Sequence, residues 1–217
     1  MVLRSGDYSM IDPATLLTYC AIVLGFVFIP GPATLLTLAR ASTSGTKVGI
    51  ATGAGITAGD IIHTVFAVVG ISAIIAASAT LFSIIKYAGA AYLFYLGIKA
   101  ILDKTPTMPG QDQIRLSASQ AFRQGILAEV LNPKTALFFL AFLPQFVHPE
   151  NGAVFMQLMI LGVLFAVLGF VSTIVFAIGA GSLGAFVRRH PVVLKWQSKV
   201  VGGIYCGLSV RLALQQR

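Results

Sequence analysis

The stretch PATLLTYCAIVLGFVFIPGPATLLTLA, residues 13–39, decides the fold because it is an uncharged run of membrane-spanning length that contains Pro30-Gly31-Pro32. A span needs about 20 apolar residues. Proline lacks a backbone N–H and its ring clashes with the carbonyl four residues back, so this triplet should interrupt a helix. In a bilayer, interrupted backbone is tolerated only where it is buried in protein or lines a cavity. The run therefore predicts either a broken helix that forms a binding site or a kink without a ligand.

The composition of the whole chain predicts an integral membrane protein. Hydrophobic residues make up 57% of it and charged residues 10%, whereas a soluble domain carries about 25% charged residues. The net charge of +8 would suit nucleic acid, but the basic residues lie in short segments between apolar runs, where they report orientation in the membrane. We therefore expect no nucleic-acid partner. No cysteine or carboxylate pair has a catalytic or metal-binding spacing, so we expect no enzyme activity, metal or cofactor.

The apolar runs predict an all-α protein with six transmembrane helices. The polar segment 103–124 contains two prolines and is predicted as a loop. The predicted spans are 13–39, two helices within 48–102 that turn near 72–80, 126–147, 153–187 and 192–214.

Six spans place both termini on the same side of the membrane. Ten basic residues then share the side of the 103–124 loop and four lie on the opposite side, with Lys134 left out as intramembrane. Because cytoplasmic loops carry an excess of lysine and arginine, this asymmetry places the long loop in the cytoplasm and both termini outside.

The two halves of the chain share three short patterns in the same order. The pairs are Pro32-Ala33-Thr34 with Pro133-Lys134-Thr135, Val65-Phe66-Ala67 with Val175-Phe176-Ala177, and Lys86-x-x-Gly89-x-x-Tyr92 with Lys199-x-x-Gly202-x-x-Tyr205. A three-helix repeat has an odd number of spans, so the second copy must run inverted through the membrane. We therefore predict an extracytoplasmic segment 1–12, a first repeat 13–102, a cytoplasmic loop 103–124 and a second repeat 125–217. One difficulty is that Pro32 lies late in its apolar run and Pro133 early in its own.

Asp60 is the ionisable residue that the predicted spans explain least well. A charge at membrane depth costs at least about 2.5–3.5 kcal/mol, so Asp60 should face protein or water. The repeat aligns it with Phe170, so the architecture does not need a carboxylate there for folding. We interpret Asp60 as a proton or substrate site, the alternative being an acid that pairs helices. His63, one turn on, is either a proton relay or a satisfied polar group.

A second polar cluster comprises Glu129, Asn132, Pro133 and Lys134, early in the predicted fourth span. One interpretation is that Glu129 and Lys134 reach the membrane interface. The other is that Pro133 breaks the helix, which leaves Asn132 and free backbone groups for a ligand. The positive end of a half-helix suits a carboxylate such as that of an amino acid.

Four motifs in order resemble the lysine exporter (LysE/RhtB-type) family of bacterial amino-acid efflux proteins. They are Pro30-Gly31-Pro32, Gly59-Asp60 with His63, Lys86-x-x-Gly89-Ala90-x-Tyr92-Leu93-x-x-x-Gly97, and Asn132-Pro133-Lys134. The resemblance covers essentially the whole chain from Met10. It implies a bacterial inner-membrane exporter of an amino acid, driven by the proton gradient.

From these residues we expect a substrate-binding set and a proton-coupling set. A neutral substrate is favoured over a cationic one, because the predicted spans hold no acid besides Asp60 and Glu129. The substrate-binding candidates are Pro30, Gly31, Pro32, Thr34, Asn132, Pro133 and Lys134, and the proton-coupling candidates are Asp60, His63 and Glu129. The alternatives are a membrane redox carrier that uses Cys20 and Cys206, or a sensory helix bundle without transport. Small residues on lipid-facing surfaces would permit a homodimer.

Overall fold

The computed structural model describes residues 10–28, 31–77, 79–102 and 116–189, together with ten positions between 196 and 214. Within these residues the chain forms helices and short connecting turns. The helices are α1 (Pro13–Phe28), α2 (Pro32–Ser44), α3 (Thr46–Ala77), α4 (Ala79–Leu102), α5 (Ala118–Val130), α6 (Pro133–Leu137) and α7 (Val154–Arg189). A π-helical turn, Phe138–Phe142, and two 3₁₀ turns, Leu143–Phe146 and Pro149–Asn151, join α6 to α7.

Both proline motifs coincide with breaks between helices. Helices α1 and α2 meet at an angle of 52°, and α5 meets the following segment Lys134–Phe146 at 49°. Pro32 is the first residue of α2 and Pro133 the first residue of α6, where a missing N–H costs no intrahelical bond. The prediction that each motif breaks a helix is therefore confirmed.

Helix α5 corrects the predicted boundary of the polar loop. It begins at Ala118, inside the segment 103–124 that the sequence predicts as a loop. Ser117 starts it with a capping box: its hydroxyl accepts the backbone N–H of Gln120, while its own N–H is bonded by the Gln120 side chain. The first turns carry Arg123 and Gln124, so a search for apolar runs misses them. With the early start of α5, Pro133 follows a helix of 13 residues, as Pro32 follows the 16 residues of α1.

The described residues account for up to four of the six predicted spans. Two helical segments, Thr46–Gly70 and Val154–Ala180, are long and apolar enough to cross a membrane, and the two bent pairs would raise the number to four. The predicted sixth span, 192–214, lies largely outside the part of the chain that the structure describes. The expected turn near 72–80 is consistent with the end of α3 at Ala77 and the start of α4 at Ala79.

Helix α3 lies at the centre and contacts α2, α5 and α7 at close range. A Cβ on Gly55 would overlap the carbonyl oxygen of Phe122, and one on Gly125 would overlap that of Thr52, so α3 and α5 cross backbone to backbone. On another face, a Cβ on Gly53 would overlap Thr173 of α7. The small residues along α3 therefore serve close helix contact, as small residues do in membrane proteins.

An aromatic core fills the space between α1, the π-helical turn and α7. Phe138 lies at its centre, with ring centroids 4.8 Å from Phe26 and 4.7 Å from Phe165. Tyr19 is fully buried beside them, and its hydroxyl donates to the carbonyl of Leu161 at 2.8 Å. This core supports the wall of the cavity described next, because Phe26 and Phe165 belong to both.

Candidate functional site

A partly open cavity lies where the two helix breaks meet. Residues of α1, α2, α3, α5, α6 and α7 line it, so both halves of the chain contribute. Its polar lining residues are Thr34, Asp60, Glu129, Asn132, Lys134, Thr135, Ser172 and Thr173. The remainder of the lining is Phe26, Val27, Gly31, Pro32, Ala33, Ile56, Phe165 and Gly169.

The carbonyl groups freed at the first break are bonded by side chains from the second half of the chain. The last four carbonyls of a helix lack intrahelical partners. The ammonium group of Lys134 donates to the carbonyl of Phe26 at 3.3 Å and lies 4.0 Å from the centre of its ring. Ser172 of α7 donates its hydroxyl to the carbonyl of Val27 at 2.9 Å. A lysine at this position also suits the negative end of the α1 dipole.

At the second break, a carbonyl group accepts a hydrogen bond from a side chain of the first half of the chain. Nε2 of His63 lies 2.9 Å from the carbonyl oxygen of Glu129, in the last turn of α5. A carbonyl oxygen can only accept, so Nε2 carries the hydrogen. The His63 ring also stacks on Phe139 of the π-helical turn, with centroids 5.8 Å apart. His63 is thus a buried cap of the broken helix, and it is not among the residues that line the cavity.

Asn132, at the second break, is hydrogen-bonded both to the start of α6 and to the carboxyl group of Glu129. Its Oδ1 accepts the backbone N–H of Lys134 at 3.1 Å, which caps the start of α6. Its Nδ2 lies 3.3 and 3.2 Å from the two carboxyl oxygens of Glu129. Asn132, which one interpretation of the sequence leaves available for a ligand, thus holds Glu129 and α6 in place and also lines the cavity.

Asp60 and Glu129 form a carboxyl pair in the wall of the cavity, and each is 2% exposed. Their side chains are within hydrogen-bonding reach of each other, which forms a bond only when one of them is protonated. Oδ1 of Asp60 has no hydrogen-bond partner among the described residues. A buried polar atom without a partner is costly, so Asp60 is suited to a proton or a cationic ligand group.

Most of the predicted site residues meet at this cavity. Gly31, Pro32, Thr34, Asp60, Glu129, Asn132 and Lys134 all line it. Pro30 lies outside the described residues, and Pro133 is placed as the first residue of α6. His63 contacts the backbone of Glu129 and not the carboxyl group of Asp60.

Several lining residues are not among those that the sequence predicts for the site. Ser172 and Thr173 are polar lining residues of α7, and their position inside the charge-free run 153–187 is a signal that could have found them. The sequence predicts Gly169 only as a helix-packing residue. The apolar wall formed by Phe26, Ile56 and other residues has no signal in the sequence, because every span is apolar.

The two cysteines are not bonded to each other. Cys20 lies in α1 and Cys206 in the C-terminal helical residues, and both are free and partly exposed. A Cβ on Gly97 of α4 would lie 2.6 Å from Sγ of Cys206. Cys206 is therefore a helix-packing residue.

Comparison with known proteins identifies similar chains over most of the length. Residues 24–216 match the LysE type translocator family. An uncharacterised membrane protein of Pseudomonas aeruginosa is 30% identical over 201 residues, which cover 88% of this chain and 92% of the relative. The membrane protein YrhP of Bacillus subtilis is 38% identical over 163 residues, 71% and 77% of the two chains. A leucine efflux protein of Klebsiella pneumoniae is 28% identical over 204 residues, 92% and 96% of the two chains. No solved structure matches significantly.

Proposed function

Because the chain belongs to the LysE type translocator family, we propose that it exports a neutral amino acid from the cytoplasm in exchange for protons. The family makes it a membrane transporter and not an enzyme, as the sequence predicts. The observation that carries the proposal is the cavity between the two helix breaks, which is lined by a lysine and by a carboxyl pair. Those are the two charges that a zwitterion requires.

The carboxylate of the substrate would bind at the first break. Helix α2 starts at Pro32 without a side-chain cap, so the first amides available there belong to Ala33 and Thr34, and both residues line the cavity. The N-terminal end of a helix favours an anion through these amides and its dipole. The ammonium group of Lys134 lies beside them, 3.2 Å from where a Cβ on Gly31 would be.

The ammonium group of the substrate would bind the carboxyl pair. Oδ1 of Asp60 is buried in the cavity wall without a partner among the described residues. Glu129 is held beside it by Asn132. We assign proton exchange to the same pair, because a carboxyl group can take up and release a proton and these two lie within hydrogen-bonding reach of each other. His63 would support proton coupling by positioning Glu129.

The rest of the lining favours a neutral side chain. Phe26, Ile56 and Phe165 present an apolar surface on which a cationic side chain would find no compensating acid, among the described residues, beyond the pair already used. Lys134 would also repel a second positive charge. The relatives named leucine efflux protein support the same substrate class.

Export would proceed by alternating access between two inverted three-helix repeats. The two breaks have similar bends, 52° and 49°, and each is capped by side chains of the other half. A rocking motion of one half against the other would therefore act directly on both breaks. We propose six spans with both termini extracytoplasmic, in a bacterial inner membrane.

The test is efflux of a labelled amino-acid panel from preloaded vesicles that contain the purified protein, with and without an imposed pH gradient. We expect gradient-dependent movement of neutral amino acids. Movement of lysine and arginine without the neutral class would overturn the neutral substrate. If folded protein moves no amino acid, the export proposal is wrong.

A further inference from the structure

Gly169 occupies an unusual position in the wall of the cavity. A Cβ built on it would lie 3.4 Å from Oδ2 of Asp60 and 4.0 Å from Cγ1 of Val27. Both of those residues also line the cavity. The glycine therefore leaves a gap between the carboxyl group that we assign to the substrate ammonium and the start of the apolar wall.

Helix packing does not explain this glycine, although it explains others in the same helices. A Cβ on Gly162 of α7 or on Gly53 of α3 would overlap a threonine of the neighbouring helix, and one on Gly59 would lie 2.6 Å from Cβ of Glu129. At Gly169 the two contacts would be ordinary van der Waals contacts. Alanine forms helices more readily than glycine, so folding alone would favour alanine at this position.

A second observation points to a ligand in the same place. Oδ2 of Asp60 borders the gap, and Oδ1 of the same carboxyl group is buried without a hydrogen-bond partner in the described part of the chain. The carboxyl group beside the gap therefore has an acceptor left for an incoming donor. An amino acid whose ammonium group binds this carboxyl would place its α-carbon and the first atoms of its side chain next to Gly169.

We propose that Gly169 determines which amino acids are exported, because the absent side chain leaves the space that a bulky substrate side chain needs near its α-carbon. The proposal rests on the proposed function and adds to it a limit on the size of the substrate side chain. Filling the gap with one methyl group should therefore discriminate against large substrates while small ones still bind.

The experiment compares Gly169→Ala with Gly25→Ala in the same vesicle assay. Both substitutions add one methyl group inside a helix, but a Cβ on Gly25 would meet none of the described residues within 4 Å. The panel is alanine, valine, leucine and phenylalanine, and the measured quantity is the efflux rate of each relative to alanine. We expect Gly169→Ala to lower the leucine-to-alanine ratio by about tenfold or more, the usual effect of one methyl group in a pocket. Gly25→Ala should leave the ratio unchanged.

Two results would overturn the size limit while leaving export intact. One is an unchanged leucine-to-alanine ratio in Gly169→Ala protein that is folded and inserted normally. The other is an equal loss for every amino acid, which would mean that the methyl group acts through Asp60 or through packing. Absence of amino-acid efflux in the wild-type protein is a different result and overturns the proposed function itself.

A double variant provides a further check on the gap. Val27→Ala removes Cγ1, the apolar atom nearest to the added methyl group, without altering the carbonyl that Ser172 caps. Combined with Gly169→Ala, it should raise the leucine-to-alanine ratio back toward the wild-type value. A ratio as low as in the single Gly169→Ala variant would place the limiting contact elsewhere and contradict the proposal.

Discussion

Asp60 shows how a single residue can indicate a functional site, because a carboxyl group is energetically costly in an apolar span. A carboxyl group at membrane depth requires a partner or a function, and here one of its oxygens is buried without a partner among the described residues. The predicted repeat aligns it with Phe170. Sequence and structure therefore agree that Asp60 faces a cavity and not lipid.

The replacement Asp60→Asn should uncouple export from the pH gradient. The amide keeps the size of the side chain but cannot take up and release a proton, so efflux should no longer respond to an imposed gradient. The measurement is vesicle efflux with and without the gradient, after confirming that the variant is inserted at the wild-type level. A normal gradient response in Asp60→Asn would remove Asp60 from proton coupling.

His63 is a residue whose sequence context suits either a proton relay or a structural role. Its ring nitrogen bonds the carbonyl of Glu129, so the expected effect of His63→Leu is the loss of one buried hydrogen bond, about 1 kcal/mol of stability. Thermal unfolding of the purified protein in detergent measures this as a lower midpoint.

His63→Gln separates the two roles because glutamine can donate to the same carbonyl but cannot relay protons at neutral pH. We expect it to recover stability relative to His63→Leu and to retain gradient-dependent efflux. A stable His63→Gln protein that has lost its gradient response would show that the imidazole itself carries protons.

At the scale of elements, the two broken helices depend on each other. The carbonyls freed at the end of α1 are bonded by Lys134 and Ser172, and one freed at the end of α5 is bonded by His63. The prolines explain where the helices break, and the sequence alone gives their positions. The donors that satisfy the freed groups come from distant positions, so their pairing is visible only in the fold.

The crossing of α3 and α5 is the contact most sensitive to added volume. A Cβ on Gly125 would overlap the carbonyl of Thr52, and neither backbone can move without shifting a helix that lines the cavity. Gly125→Ala should therefore destabilise the protein by about 1–3 kcal/mol, the usual cost of overpacking. The matched control is Gly70→Ala in α3, where a Cβ would have no neighbour within 4 Å in the part of the chain that the structure describes.

Thermal unfolding of both glycine variants in detergent checks this prediction. The unfolding midpoint of Gly125→Ala should fall clearly below that of the wild-type protein, and that of Gly70→Ala should stay level or rise. Equal unfolding midpoints for the two variants would mean that α3 and α5 can move apart without loss of stability. That result would contradict a tight crossing of the two helices.

At the scale of the whole molecule, the distribution of basic residues predicts orientation. In the predicted six-span arrangement, ten of them share one side with the 103–124 segment and four share the other. A reporter active only in the cytoplasm should therefore work when inserted at position 110 and fail when fused after Arg217. Activity at both positions would require an even number of spans between them and would contradict the six-span arrangement, which has three.

The sequence by itself determined that this chain is a helical membrane protein, that its helices break at two proline motifs, and that Asp60 and Glu129 are functional candidates. Those conclusions depend on local properties: transfer of apolar segments into lipid, the missing N–H of proline, and the cost of a buried charge. The tertiary structure alone decided that Asn132 binds Glu129, that Ser172 caps α1, and that Gly169 leaves a gap beside Asp60. These are contacts between residues far apart in the chain or across a bend, and since all the spans are similarly apolar, only their packing fixes which faces meet.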